Sequence, residues 1–167
     1  MLFRSDSGGE VLKLMGDGVL AMFTHENVAI AKRAALRAEH RFRRNMRALN
    51  SRRAADQRPV TTAHVGLHVG EVFYGNIGSE DRLDFTVVGP AVNEVSRIAS
   101  MCRSVERELL MSSAFRSGLD AAGRNSLVST GRFALRGISR AQELYTLDPD
   151  IAADEVVAGK YERYLAS

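Results

Sequence analysis

Short β-rich runs that stop at glycines recur along most of this 167-residue chain. EVLKLM (10–15) and GVLAMF (18–23) flank a Gly-Asp-Gly turn, a pattern that predicts a β-hairpin. Residues 60–70 and 71–78 are rich in β-branched and aromatic residues, and the glycines at their joints predict a second hairpin. SEDRLD is polar and predicts a connector. Four further short strands are predicted: FTVV (85–88), ELLMS, SLVSTGRFAL and AQELYTL.

Two long helical patterns accompany these strands. From about His25 to Leu49, apolar residues recur at three- and four-residue steps with arginines between them, which indicates an amphipathic helix. Residues 51–59 are polar and end in Pro59, so we expect a loop there. A short helix and a final helix near 151–165 complete the pattern, and we expect the final helix to pack on the outside of the fold. Hairpins combined with two long helices predict an α+β fold, with its sheet covered by helices on one face.

The second long helix opens at Pro90, because proline suits the first helical position. Asn93 and Arg97 are four residues apart and therefore share one face of this helix. An apolar stripe leaves them, together with Ser100, on the opposite side. A solvated helix face would show the same spacing. The stripe consists of Val92, Val95, Ala99 and Cys102.

Composition excludes several classes of protein. Hydrophobic residues make up 45% and charged residues 26% of the chain, as in globular proteins. A single cysteine, Cys102, excludes an internal disulfide framework. The chain contains no apolar run long enough to cross a bilayer, and its first residues lack the apolar core of a signal peptide. We therefore expect a cytoplasmic protein, or a cytoplasmic part of a larger one.

Arginines are concentrated between Arg33 and Arg58, although the net charge is only +3. A basic cluster of this kind suits either an anionic partner, such as nucleic acid or a membrane surface, or a solvated helix face. Only Phe42 interleaves with the arginines to stack on bases, and it lies on the apolar stripe of its helix. The solvated face is therefore favoured, and no nucleic-acid partner is expected.

Asp17 is a candidate metal-binding residue because a glycine on each side leaves its carboxylate unobstructed at a turn. A divalent ion on a nucleotide takes one or two such carboxylates together with phosphate oxygens. Gly-Asp-Gly is also ordinary turn chemistry. The metal-binding interpretation gains weight because the same chain also contains Lys13 on the preceding strand and the Asn-x-x-x-Arg pattern downstream.

Taken in order, these motifs resemble the catalytic domain of class III nucleotidyl cyclases, in the form of bacterial adenylate cyclases. The order is Lys-x-x-Gly-Asp-Gly, LHVGEVFYGNIGSEDRLDFTVVGPAVN, Asn-x-x-x-Arg, and a strand ending LRGISRAQELYTL. The resemblance runs from about Gly9 to Leu147. It implies a ferredoxin-like cyclase sheet covered by helices, with the catalytic domain at 9–148 and a helical tail at 149–167. P-loop, Rossmann, kinase and zinc-ligand patterns are absent.

The resemblance also implies roles for individual residues. Members of the family convert ATP to 3′,5′-cyclic AMP and pyrophosphate, using two Mg²⁺ or Mn²⁺ ions held by two aspartates. Asp17 matches the second of these aspartates. Asn93 and Arg97 match the pair that orients the ribose and stabilises charge on the α-phosphate. Arg136 matches a basic residue that binds the terminal phosphates, with Arg140 nearby as the alternative.

Hydrogen-bonding capacity favours ATP over GTP. Lys13 can only donate, so it suits the adenine ring nitrogen and cannot receive the guanine N–H. The resemblance places Thr86, three residues before Gly89, at the position that recognises the base together with Lys13. Its hydroxyl can accept a hydrogen bond from the adenine amino group. A threonine at this position also resembles the subgroup that is stimulated by bicarbonate.

In this family the active site is composite, so the resemblance implies a homodimer or a complex with a cyclase partner chain. Asp17 of one protomer would face Lys13, Thr86, Asn93 and Arg97 of the other. The family's first strand, with its other metal aspartate, should precede Gly9, and Asp6 lies in a polar stretch unlike that strand. A misplaced start, a shortened gene and a partner that supplies the strand would each explain this. A catalytically impaired dimerisation or nucleotide-binding module is the alternative function.

Overall fold

A computed structural model describes residues 3–4, 8–79, 82–138, 140–153 and 155–166 of the chain. Groups of strands are separated by helices along the chain, and the α+β class predicted from the sequence is confirmed. The strands are β1 Phe3–Arg4, β2 Glu10–Met15, β3 Gly18–Met22, β4 Val65–Leu67, β5 Phe73–Ser79, β6 Arg82–Val88, β7 Leu109–Ser112, β8 Leu127–Phe133 and β9 Gln142–Leu147. The helices are α1 Val28–Ala55, α2 Pro90–Ser104, α3 Ser113–Ser117, α4 Ala121–Asn125, α5 Asp150–Ala153 and α6 Glu155–Ala166.

The first predicted hairpin is confirmed. β2 pairs antiparallel with β3, and the pair Met15–Gly18 closes a turn made by Gly16 and Asp17. Gly16 has a φ of +62°, which a glycine adopts without the strain that a side chain would impose. β1 adds a third strand to this hairpin by pairing with β2.

The second predicted hairpin is wrong. β4 pairs in parallel with β7 in a sheet ordered β4-β7-β9-β8, whereas β5 forms its hairpin with β6. The predicted connector SEDRLD contributes residues to both strands of that hairpin. The glycines of the 60–70 segment serve helix packing instead of a turn. A Cβ at Gly66 would lie 2.8 Å from the Val95 carbonyl oxygen, and one at Gly70 would lie 2.8 Å from Ala91 Cβ.

α1 is longer than predicted: residues 51–55, which were expected to belong to a loop, continue the helix. The helix ends at Ala55 instead of near Leu49, and the chain turns where Gln57 adopts a φ of +53°. Residues 51–55 contain no glycine or proline, so nothing in them breaks the helix. At its other end Asn27 caps the helix by accepting a hydrogen bond from the Ala29 N–H.

Helices cover the β4-β7-β9-β8 sheet on both faces, which corrects the expectation of a single covered face. The side chains of β7 alternate between two apolar clusters. Leu109 and Met111 pack with Leu36 of α1 and with Leu165 of α6, whereas Leu110 packs with residues of α2. Period-2 alternation along a strand buried on both sides produces this arrangement. The helix predicted near 151–165 is present as α5 and α6, but the expectation that it packs on the outside is wrong, because Ile151, Tyr161 and Leu165 are buried in the core.

Arg43 connects α1 to the start of β7. Its guanidinium donates to Glu39 Oε1 at 2.9 Å, to Glu108 Oε2 at 2.8 Å and to the Ala63 carbonyl oxygen at 3.0 Å. Burial raises the pKa of Glu39, and the adjacent Arg43 opposes that rise. This arginine of the basic cluster therefore has a structural role within the fold.

No helix in the described part of the chain combines the length and the apolar character required to cross a membrane.

Arg43→Ala should lower the free energy of unfolding by about 3 kcal/mol, because removing one partner leaves the Glu39 carboxylate buried and unpaired. Arg44→Ala, at the exposed neighbouring position, should change it by less than about 0.5 kcal/mol. Urea denaturation followed by circular dichroism measures both. Equal losses for the two variants would contradict the structural role of Arg43.

Candidate active site

The helix α2 lies directly on β4. Glycines at 66 and 70 permit the close approach described above, and Ala91, Ile98 and Cys102 are buried beneath the helix. Gly89 and Pro90 begin the helix, with proline in its first turn as predicted. Asn93 is exposed and Arg97 is half-buried on the side away from the sheet. Of the predicted apolar stripe only Cys102 is buried, and Val92, Val95 and Ala99 are half-buried, because Ala91 and Ile98 face the sheet most directly.

Arg97 lies against the loop that precedes β9. A Cβ at Gly137 would be only 3.3 Å from Arg97 Nη2, so this glycine leaves room for the guanidinium. Gly137 also has a φ of +73°, a conformation that other residues rarely adopt. Arg136, the preceding residue, is exposed. The fold thus brings Arg97 close to the backbone next to Arg136.

The hairpin of β2 and β3 presents the other two predicted side chains. Lys13 is exposed on β2, and Asp17 is exposed at the turn. β2 contacts β6, the strand that carries Thr86, and Thr86 pairs with Gly75 of β5. The side chain of Thr86 lies outside the described part of the structure.

The predicted residues form an open surface on a single chain. Lys13, Asp17, Asn93 and Arg136 are all exposed. Two surface grooves, of about 340 and about 390 Å³, are lined by other residues. In one chain, therefore, these groups face solvent instead of lining either groove.

The acidic residues that the structure describes supply only part of the two-aspartate metal site that the resemblance implies. Within the described ranges, no group of three or more His, Cys, Asp or Glu side chains is placed to hold a metal ion. Asp17 offers one exposed carboxylate. One carboxylate can suffice for Mg²⁺ when substrate phosphates supply further oxygens. Asp6 lies outside the described residues.

Beside Asn93, a polar cluster that the sequence did not reveal joins α2 to β7, β9 and the residue that follows β4. Gln142 Nε2 donates to Glu94 Oε1 at 2.6 Å, and His68 Nδ1 lies 3.6 Å from the same oxygen. His68 Nδ1 is also 2.9 Å from Ser112 Oγ, where either group can donate, depending on the histidine tautomer. Periodicity could not detect this cluster, because its members are far apart in sequence.

His68 is buried, and burial lowers its pKa, while the nearby Glu94 carboxylate acts in the opposite direction. With a folded-state pKa below the unfolded one, the unfolded chain binds more protons between the two values. The stability due to neutral His68 is therefore complete above the unfolded pKa and is lost as the pH falls towards the folded pKa.

The free energy of unfolding should therefore drop more steeply between about pH 7.5 and about pH 5.5 in the wild type than in His68→Asn, whose side chain does not titrate. Urea denaturation of both proteins at the two pH values measures the difference. Parallel pH dependences would show that the pKa of His68 does not differ between the folded and unfolded states.

No family model matches the chain, but comparison with individual proteins finds similar sequences and folds. An adenylate cyclase of Anabaena cylindrica is 28% identical over 153 residues, which are 92% of this chain and 29% of that protein. A bacterial light-regulated adenylyl cyclase is 26% identical with a TM-score of 0.68, over 85% of this chain and 40% of that one.

Two further solved structures share the fold. The adenylyl cyclase CyaB of P. aeruginosa has a TM-score of 0.72 at 24% identity, over 85% of this chain and 72% of that one. The guanylyl cyclase Cya2 has a TM-score of 0.68 at 23% identity, over 84% and 70%. These likenesses agree with the resemblance found in the sequence: the chain has the fold of adenylyl and guanylyl cyclase catalytic domains. It spans less than a third of the Anabaena relative.

Proposed function

We propose that this domain converts ATP to 3′,5′-cyclic AMP and pyrophosphate, in dimers whose active sites combine residues of two chains. The observation that carries the proposal is the contact between Arg97 of α2 and Gly137, beside Arg136. This contact sets two cationic residues on adjoining surface, one turn of helix away from the Asn93 amide. A triphosphate with an attached ribose needs this combination of donors.

Each residue has a distinct part in the reaction. The ribose 3′-oxygen forms a bond to the α-phosphorus, the bond to the β-phosphate oxygen breaks, and pyrophosphate leaves. Asn93 would hold the ribose by hydrogen bonding, and Arg97 would donate to the α-phosphate oxygens as their negative charge grows. Arg136 would hold the terminal phosphates and favour departure of pyrophosphate. Removing a donor such as Arg97 typically costs about 100-fold or more in rate.

Asp17 would hold a divalent ion, Mg²⁺ or Mn²⁺, together with phosphate oxygens. When bound, such an ion lowers the energy of charge that develops on the attacking and leaving oxygens. A second carboxylate would have to come from outside the described residues. The turn that carries Asp17 is tight and exposed, so its carboxylate can approach a nucleotide held by another chain.

Base selection rests on Lys13 and Thr86. Adenylyl and guanylyl cyclases both appear among the structural neighbours, so the fold does not distinguish the two bases. Lys13 is exposed on β2 and can only donate, which favours the adenine ring nitrogen. We therefore assign ATP as the substrate.

Two exposed apolar pairs support dimer formation. Leu14 and Val19 are cross-strand partners on the β2–β3 hairpin, and Phe73 and Val88 are partners on the β5–β6 hairpin. Leu14 and Phe73 are 73% and 71% exposed. Because β2 contacts β6, the two hairpins adjoin one another. Exposed apolar surface of this kind is typical of association surfaces, and it flanks the turn of Asp17.

Mixing an Asp17→Ala chain with an Arg97→Ala chain should restore cyclic AMP formation, because the two lesions fall in one site of each mixed dimer. Random pairing leaves about one quarter of all composite sites intact. Activity with ATP and Mg²⁺ or Mn²⁺ is measured for each variant alone and for the mixture. The control is a chain that carries both substitutions, which should stay inactive in every mixture. Failure to complement while the chains still dimerise would refute the composite site.

Leu14→Asp should raise the dimer dissociation constant by at least about 30-fold, because loss of a central apolar contact costs about 2 kcal/mol or more. Sedimentation equilibrium measures this constant, and circular dichroism checks that the variant folds. The matched control is Thr24→Asp, which places the same charge at an exposed position outside the apolar pairs. An unchanged dissociation constant for Leu14→Asp would exclude this hairpin from the interface.

A catalytically impaired nucleotide-binding module remains the second candidate, because the described residues provide one metal carboxylate where the family uses two. Such a module would bind ATP with Mg²⁺ or Mn²⁺ and release no cyclic AMP. Equilibrium dialysis with ATP, carried out beside the activity assay, separates the two functions.

A further inference from the structure

The polar cluster beside α2 has a role that packing alone does not explain. Helix α2 is seated by apolar contacts from its buried side, and its N-cap residue Gly89 makes no side-chain capping hydrogen bond. Close packing on glycines sets how near the helix lies to β4. Ile98 and Cys102 hold the buried side of the helix, and polar contacts on its flank add to the restraint on its rotation.

Glu94 and Arg97 connect α2 to one and the same segment of chain. Arg97 lies against Gly137, and Glu94 accepts a hydrogen bond from Gln142 at 2.6 Å. Three residues apart, Glu94 and Arg97 are neighbours on the helix surface. Gly137 lies in the connection from β8 to β9, which also carries Arg136, and Gln142 is the first residue of β9. Two adjacent contacts with a single segment resist both rotation and sliding of the helix.

The Glu94–Gln142 hydrogen bond is well placed to hold this geometry. The Glu94 side chain is only 18% exposed, so water competes weakly for its carboxylate. A hydrogen bond to an ionised acceptor is stronger than one between neutral groups. His68, at 3.6 Å, lies on the same carboxylate oxygen and is itself fixed by Ser112. The carboxylate is thus confined between β9 and the end of β4.

We propose that Glu94 is a positioning residue, which through its hydrogen bond to Gln142 fixes the rotation of α2 and so aims Asn93 and Arg97 at the nucleotide. The inference rests on the proposed cyclase function for its kinetic consequence, though not for its structural one. Glu94 itself would not contact the substrate. Its effect passes to Asn93, the adjacent residue, and to Arg97, its neighbour across one turn.

Two substitutions at this position separate positioning from general stability. Glu94→Ala removes the acceptor, whereas Glu94→Gln retains an oxygen that can accept from Gln142. Glu94→Ala should lower kcat by about 10- to 100-fold with a smaller change in KM for ATP, because misplacement by about 1 Å can cost about 100-fold. Glu94→Gln should retain most of the wild-type kcat. Glu26→Ala, at an exposed position before α1, is the control and should leave kcat unchanged.

Hydrogen exchange tests the same role without any turnover. In the nucleotide-free protein, the amides of residues 94–98 should exchange faster in Glu94→Ala than in the wild type, Glu94→Gln or Glu26→Ala. Unchanged exchange in Glu94→Ala overturns the inference, and so does a Glu94→Gln variant as slow in turnover as Glu94→Ala. A wild-type protein that neither binds nor cyclises ATP counts against the proposed function alone, and the exchange result then decides the role of Glu94.

Discussion

The close approach of α2 to β4 is the contact on which the rest of the site depends. Gly66 and Gly70 bring the helix backbone within reach of the strand, and no larger residue would fit at either position. This close packing sets the distance between the sheet and α2, the helix that carries Asn93 and Arg97. It also places the β8–β9 connection beside the exposed side of that helix, where Gly137 accommodates the Arg97 guanidinium. The positions of the charged groups at the site therefore depend on how α2 packs.

Charge is divided between structural and functional tasks. α1 is strongly basic, yet Arg43 donates hydrogen bonds within the fold, to Glu39, to Glu108 and to a backbone carbonyl oxygen. The basic helix packs through Leu36 and Lys32 against other elements of the fold. In contrast, Lys13 and Arg136 are exposed. Cations that remain accessible to an anionic ligand are found at the predicted site as well as on the outer surface of α1.

The open character of the site fits a protein that completes its chemistry by association. Half-sites on separate chains gain a shielded environment only when two chains meet, and electrostatic contacts strengthen when water is excluded. The apolar pairs on the two hairpins lie next to the groups that would then face one another. Fold likeness alone leaves the base undecided, because solved adenylyl and guanylyl cyclases both share it. The choice between adenine and guanine depends on which hydrogen-bond donors and acceptors the individual side chains offer.

The sequence by itself predicted the features that depend on residues close together in the chain. Gly16 and Asp17 form a turn because of their own conformational preferences, Pro90 starts a helix because its φ is suited to one, and the spacing of Asn93 and Arg97 places them on one face. The ordered motifs then predicted the family. Local preference also explains the misjudged end of α1, since a polar stretch without glycine or proline can continue a helix.

Only the tertiary structure decided which strands pair and what the glycines do. The glycines of the 60–70 segment are compatible both with a turn and with close packing of a helix. They pack against α2, a contact that depends on the tertiary structure. Likewise, Glu94 and Gln142 are separated by 48 residues, and no local pattern connects them. Contacts of this kind depend on the summed packing of the whole fold, which short-range preferences do not encode.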